Sequence, residues 1–282
     1  MNHIKLYVSC HKPFAIPTHP LLYPIQVGTA QTKERFDGML SDAEGENISS
    51  LNSQYCELTA QFWAWKNDMA DWQGFFHYRR FLYPDIKTKH PYRIENVPTL
   101  PLLRKLGYED FGALISQYDL ICPIGEQMYI SVREHYASAP YHHAADLERM
   151  ERILYQMHPE YQAAAQMYLN GTVHYFGNLY IFSRRQFEQY CAWLFPMLAE
   201  FDRLTDLSGY STQERRVDGY LAERLFGIYL TYVRQNEMVR VLELPRVHFE
   251  GMSGEYYLKK KLMALLLPAG TRRRALVKKL MQ

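Results

Sequence analysis

The sequence predicts an α/β fold: a central sheet covered by helices on both faces, forming one large domain, with a basic helical tail behind it. Three observations point there. Short apolar runs of strand length alternate with stretches of helical period along most of the 282 residues. The strand runs are mostly continuous rather than alternating in hydrophobicity, as strands buried on both faces require. Hydrophobic residues make up 48% and aromatic residues 15% of the chain, enough for a sizeable core and incompatible with disorder.

The first strand is Ile4-Lys5-Leu6-Tyr7-Val8-Ser9-Cys10, ended by His11-Lys12-Pro13. Pro17, Pro20 and Pro24 then keep the chain extended as far as Ile25-Gln26-Val27-Gly28. After the loop Asp42-Ala43-Glu44-Gly45-Glu46-Asn47, a helix capped by Ser49, Ser50 or Asn52 carries Tyr55, Leu58, Thr59, Phe62, Trp63 and Trp65. Asn67-Asp68 stops it, and Trp72 to His77 is the next strand. Residues 84–110 are polar and interrupted by prolines, which reads as a surface insertion or lid with a short amphipathic stretch from Leu100 to Leu106. Tyr118 to Pro123 is a third strong strand, and His135 to Tyr168 is mainly helical. Phe176 to Phe182 is another buried strand that feeds a helix from Gln186 to Phe201. A helix from Arg216 to Val233 follows, and Val239 to Leu244 closes the sheet.

Several function classes lose support early. The formal net charge is +2, so no global basic field points to nucleic acid, and no RNA-recognition motif is present. There is no G-x-G-x-x-G after a strand, no G-x-x-x-x-G-K-[ST] and no G-x-S-x-G. His135, His142 and His143 lie near one another, but no carboxylate or thiol stands at zinc-ligand spacing beside them. Cys10, Cys56, Cys122 and Cys191 are far apart in apolar segments, which reads as buried, reduced thiols of a cytoplasmic protein. Met1 to Cys10 is too short for a signal sequence, and no run reaches the length of a membrane span.

Three clusters carry candidate chemistry. His77-Tyr78-Arg79-Arg80 ends a strand, where open α/β sheets bind ligands, and adjacent guanidinium forks suit phosphate. An exposed basic turn is the alternative. In Asp218-Gly219-Tyr220-Leu221-Ala222-Glu223-Arg224, helical spacing places Arg216, Gly219, Tyr220 and Glu223 on one face. Glu223 there is either a general base or an ordinary ion-pair partner of Arg216 or Arg224. Glycine in a helix interior costs about 1 kcal/mol against alanine, so Gly219 marks close approach of some group. Asn47 and Asn52, around a helix start, either cap it or hold a nucleotide's ribose or phosphate.

Taken together, several segments resemble the bacterial capsular and exopolysaccharide biosynthesis glycosyltransferases, a former domain of unknown function with galactofuranosyltransferase members. They are Val8 to Lys12, Gly45 to Ser49, Tyr55 to Thr59, Trp63 to Asn67, Gly74 to Arg80, Tyr118-Asp119, Tyr190 to Phe195 and Gly219 to Leu225, within residues 4–250. The resemblance implies a GT-A-like nucleotide-sugar-binding domain over residues 1–250, with a mixed sheet flanked by helices and a basic amphipathic tail at 251–282. It also implies transfer of a sugar, expected to be galactofuranose from a UDP-sugar, to a growing bacterial surface polysaccharide. Inverting transfer needs one carboxylate base. Glu223 is the expected base, with Asp119 and Asp218 as alternates. Lys12, His77, Arg79 and Arg80 are expected on the diphosphate, Asn47, Asn52 and Lys66 elsewhere in the donor site, and Asn178 and Tyr220 on the acceptor. Such folds carry Asp-x-Asp for a divalent metal where this chain has His77-Tyr78-Arg79-Arg80, so no metal ligand is assigned and Mg or Mn is not required by the sequence. A non-catalytic nucleotide-sugar- or glycan-binding partner in a polysaccharide assembly complex is the alternative function.

The tail holds Lys259, Lys260, Lys261, Arg272, Arg273, Arg274, Lys278 and Lys279 with no acid between the first and the last. Basic and apolar residues alternate there, as on a helix lying on an anionic membrane surface, which would suit a lipid-linked acceptor. A helix packed on its own domain is the alternative.

Overall fold

The structure, a computed structural model, describes residues 3–251, 254–267, 271 and 273. In chain order it contains β1 (Ile4–Cys10), β2 (Leu22–Gln26), β3 (Leu40–Ser41), α1 (Asn52–Tyr55), α2 (Leu58–Asn67), β4 (Trp72–His77), β5 (Arg80–Leu82) and β6 (Tyr92–Glu95). Next come α3 (Leu100–Lys105), α4 (Phe111–Ile115), β7 (Leu120–Pro123), β8 (Glu126–Gln127), α5 (Val132–Ser138), α6 (Ala144–Met157), α7 (Gln162–Asn170), β9 (Val173–His174) and β10 (Tyr180–Ser183). The chain continues through α8 (Arg184–Leu204), α9 (Val217–Asn236), β11 (Val241–Leu244), β12 (Arg246–Phe249) and α10 (Gly254–Leu266).

The main sheet runs β11-β7-β10-β4-β1-β2-β3. Its pairs are parallel except around β10, which lies antiparallel to both β4 and β7. The result is the expected mixed sheet. Side chains alternate across it. Tyr7, Phe75, Tyr180 and Phe182 face one core with Phe187, Tyr190 and Leu194 of α8 and Leu221 and Leu225 of α9. Leu6, Val8, Phe76 and Ile181 face the other, with Leu103, Tyr108, Phe111 and Ile115. Burying each such side chain contributes roughly 1.5–3 kcal/mol before entropy is counted. Gly74 sits where the sheet leaves no room for a side chain: a Cβ there would lie 2.5 Å from Leu6 Cδ2 and 2.9 Å from Ile181 Cγ1.

Four elements differ from the sequence reading. Residues 84–110 are not a lid: β6 pairs with β12, β12 pairs with β5, and the amphipathic stretch is α3, whose Leu103 is buried. The helix expected from His135 to Tyr168 is three, because Pro140 and a left-handed Tyr141 (φ 65°) separate α5 from α6, and His158-Pro159 separates α6 from α7. The helix after Asn47 breaks at Cys56 (φ 54°, ψ −131°), so α1 and α2 are distinct. Finally, β10 begins only at Tyr180, and Phe176 to Leu179 approach it as a turn.

In the tail, Tyr257 of α10 donates to Glu95 Oε2 of β6 at 2.9 Å, and Lys261 Nζ stands 3.6 Å from the same oxygen. Leu258, Leu262, Met263 and Leu266 are exposed. Arg272, Arg274, Lys278 and Lys279 lie outside the described residues. Among the described residues no helix is long and apolar enough to cross a membrane.

Candidate active site

Parallel pairing of β1 with β4 puts Ser9 opposite His77, so His11-Lys12 and Tyr78-Arg79 leave the sheet side by side. The buried Tyr78 ring is their common support. His77 lies 4.2 Å from its centroid and His11 5.1 Å, while Lys12 Nζ and the Arg79 guanidinium lie 5.5 and 5.3 Å away. Arg80 turns back as the first residue of β5, opposite His77. Its half-buried guanidinium approaches Gly177, where a Cβ would be 3.5 Å from Nη1. A further cation arrives from the start of α9: Arg216 Nε donates to Cys56 Sγ at 3.3 Å. The two adjacent arginines therefore take different routes, Arg79 exposed over Tyr78 and Arg80 inward.

Burial, reinforced by the crowded cations, decides the charge of the imidazoles. Burial, then Arg80, His11, Arg79 and Arg216, pull His77 down to about 2. Partial burial, then Lys12, Arg79 and Arg216, lower His11. The Arg79 amide donates to His77 Nδ1 at 3.3 Å, so the neutral ring carries its proton on Nε2. In the absence of an anion His77 is thus a neutral hydrogen-bond donor.

Beside the cations stand two carboxylates that grip one turn. Gly177 (φ 97°) and Asn178 (φ 44°) are both left-handed, which glycine and asparagine tolerate better than other residues. The Gly177 amide donates to Glu223 Oε1 at 2.8 Å, and Arg224 Nη1 donates to Glu223 Oε2 at 2.8 Å. Asn178 Nδ2 donates to Glu57 Oε1 and to Gly219 O, each at 3.1 Å. Burial raises Glu57 above the ordinary glutamate range, with the charge of Glu223 adding to the shift. Gly219 does mark a close approach, as its place in the helix suggested: a Cβ there would lie 3.2 Å from Cys56 Sγ.

The remaining candidates fall into place around this cluster or away from it. Tyr220 borders it, its ring stacked 4.1 Å from that of His142. Asp119 is not brought in. It precedes β7 at the far end of the sheet, near Ser183 and Trp72, and forms a bidentate pair with Arg240 that lowers its pKa. Asp218 points into the interior beside Asp202, and burial followed by the Asp202 charge raises it well above the carboxylate range. Asn47 ties its own loop, donating to Ala43 O and Gly45 O at 2.9 and 2.8 Å. Asn52 donates to Cys56 O at 2.7 Å and fixes the α1–α2 break. Lys66 stands 3.4 Å from Glu46 and over the Trp65 ring, near the far end of α2. Sequence reasoning missed Glu57, Arg216, His11 and Cys56 as site residues, although Glu57 and Cys56 lie in the Tyr55 to Thr59 segment and Arg216 was placed on the Glu223 face. It also missed Asp42, a fully buried carboxylate that accepts from Gly28 N, Thr29 N, Ser49 Oγ and Thr59 Oγ1 and anchors the loops beside α1.

A divalent cation does not fit this donor set. Lys12, Arg79, Arg80 and Arg216 occupy the strand end, and the two carboxylates nearby already serve the Gly177–Asn178 turn. Among the described residues no three His, Cys, Asp or Glu side chains gather as metal ligands. A mixed α/β sheet flanked by helices is a glycosyltransferase-like fold by its similarity to a solved structure. The apo structure of the WbbM bifunctional glycosyltransferase is similar to this chain at a TM-score of 0.83 and 30% identity, over 88% of this chain. The match spans 46% of that protein, about half its length. A search of curated proteins returns no match. The profile of a family described as a domain of unknown function, DUF4422, matches residues 5–236, and the chain belongs to that family.

Proposed function

We propose that this protein is a glycosyltransferase that moves a sugar from a UDP-sugar, galactofuranose being the expected donor sugar, to a growing bacterial surface polysaccharide. The observation that carries the reading is the adjacency of unlike groups: Arg216 beside Glu57, Arg80 beside the Gly177–Asn178 turn that Glu223 holds, and Lys12 and Arg79 over Tyr78 at the same strand end. A departing diphosphate gathers negative charge as the sugar acquires oxocarbenium character, and fixed guanidiniums stabilise that charge. His77 adds a neutral N–H. A carboxylate takes the proton of the attacking hydroxyl in a single displacement that inverts the anomeric centre. Tyr220, stacked with His142, offers an aromatic surface for the acceptor beside the carboxylates.

Release of UDP from UDP-galactofuranose and UDP-galactopyranose, followed with the purified protein, tests the reading. Binding of both without release would sink it and leave a non-catalytic binding role. Attachment to the membrane surface is the second part of the proposal. It is supported by the exposed Leu258, Leu262 and Leu266, four residues apart on one face of α10, with Lys259 and Lys261 among them. The full chain should float with vesicles containing anionic lipid, and the chain truncated after Tyr257 should not. Equal flotation of both would refute this attachment.

A further inference from the structure

We propose that Glu57 is the general base of this site and that Glu223 is a positioning residue that holds the Gly177–Asn178 turn. The inference rests on the glycosyl-transfer reading above.

The two carboxylates differ in what their oxygens already do. Glu223 spends Oε1 on the Gly177 amide and Oε2 on Arg224. Arg224 is itself buried and donates to Tyr220 O at 3.2 Å, which fixes the ion pair to the α9 backbone. Both oxygens of this carboxylate are tied to fixed partners, one in the turn and one on α9, so its orientation serves the turn. Glu57 has a single side-chain donor, Asn178 Nδ2 on Oε1, and its remaining support is its own backbone amide. The Asn178 amide orientation is fixed, because Nδ2 meets two acceptors, Glu57 and Gly219 O. Its Oδ1 is buried with no hydrogen-bond partner among the described residues, an arrangement that costs about 1–3 kcal/mol. The fold thus accepts an orphaned oxygen in order to aim Nδ2 at Glu57.

The charges around Glu57 also suit a base. Facing it are Arg216 and Glu223 from the α9 side, Cys56 beside it in the chain and Tyr180 from β10. Burial and Glu223 favour its protonated form, while Asn178 and Arg216 favour the charged form. Glu57 is therefore a stronger base than an exposed glutamate, and Arg216 links it to the cationic cluster. In the step itself, the acceptor hydroxyl oxygen bonds to the anomeric carbon as the bond from that carbon to the diphosphate oxygen breaks. The bonding pair leaves with UDP, and the hydroxyl proton passes to Glu57.

The test compares Glu57→Gln, Glu57→Ala and Glu223→Gln with the native full-length chain. Transfer from UDP-galactofuranose or UDP-galactopyranose to octyl galactoside, or to water, is followed across pH, with UDP binding measured by calorimetry. Glu57→Gln can still accept from Asn178. It should lower kcat by about 100-fold or more, leave UDP affinity within about threefold, and abolish the acid limb of the rate profile. In the native protein that limb should lie above the ordinary glutamate value of 4.5, since the rate falls as the base is protonated. Formate should restore part of the rate to Glu57→Ala, which a merely structural role would not allow. Glu223→Gln should raise the acceptor KM and keep the limb. A Glu57→Gln variant with near-native kcat and an intact limb would overturn the inference while glycosyl transfer stood. A native protein that turns over no sugar donor would overturn the glycosyl-transfer reading itself.

Discussion

Replacing Arg80 by alanine removes the one strand-end guanidinium that turns inward. Arg80 is half-buried, sits opposite His77 in the β4–β5 reversal and reaches Gly177, the residue tied to Glu223. A charge-assisted hydrogen bond in such a setting contributes about 1.5–3 kcal/mol. Arg80→Ala should therefore weaken UDP binding about 10- to 150-fold by isothermal calorimetry. Arg80→Lys keeps the charge but loses the planar fork, so its loss should fall between native and alanine. A second readout is internal to the protein. Arg80 leads the charges that depress His77, after burial, so the His77 ring should titrate above about 2 in Arg80→Ala while staying below 6.5. Proton NMR of the ring follows that shift. If His77 moves and UDP affinity stays within about twofold of native, the guanidinium is in place but no diphosphate uses it, and the anion-grip reasoning fails.

Other expected outcomes follow from the same geometry. His11 and His77 are depressed first by burial and then by neighbouring cations, so an arriving diphosphate offsets the second part alone, and any proton exchanged on UDP binding should be uptake, carried by His11. Calorimetry in buffers of different ionisation enthalpy measures the uptake; proton release would contradict it. Gly74→Ala should destabilise the fold by about 1–3 kcal/mol in urea unfolding, because Leu6 and Ile181 are fully buried and cannot retreat. Asp218 holds its proton more tightly folded than unfolded, so the folded chain binds more protons above the unfolded carboxylate pKa, and stability falls as pH rises through that window. Asp218→Asn should flatten this decline, narrowing the difference in Tm between pH 5 and pH 8 in calorimetric melts; an unchanged difference would refute it.

What the sequence disclosed and what it hid divide along physical lines. β1, β4 and β7 are legible because each is a mainly apolar run of strand length that the sheet buries on both faces, and edge strand β11 because Val241, Leu242 and Leu244 form a shorter run of the same kind. β5, β6 and β12 are short and mixed in polarity, and only their mutual pairing gives them regularity. The break at Cys56 rests on a positive φ in a residue type that seldom adopts one, with Gly219 packed against it from 163 residues later in the chain. No local pattern encodes that contact. The strand-end cations were readable as a repulsive run at a ligand-binding edge. The carboxylates were not: Asp119, Asp218, Glu57 and Glu223 share the same chemistry in sequence, and only burial and partner choice separate an ion pair to Arg240, an interior acid beside Asp202 and the two groups facing the turn.

The neutral histidines explain how so much positive charge is gathered without an equal cost to the fold. Lys12, Arg79, Arg80 and Arg216 are fixed cations, and each proton added nearby would raise their mutual repulsion. Burial first and then this field keep His11 and His77 neutral, which leaves Nε2–H of His77 directed by the Arg79 amide. A singly charged ligand would offset only part of the repulsion among four cations. A diphosphate supplies two or more negative charges at the spacing of guanidinium forks, and it reverses the field at both imidazoles as it binds. On this account His77 stays a neutral donor, His11 carries any proton linkage of donor binding, and the carboxylates are left to act on the acceptor. Removing the imidazole, as in His77→Gln, should therefore leave the Glu57-dependent acid limb of the rate in place. Loss of that limb in His77→Gln would mean that the imidazole and the carboxylates titrate as one unit and would break the assignment of separate roles.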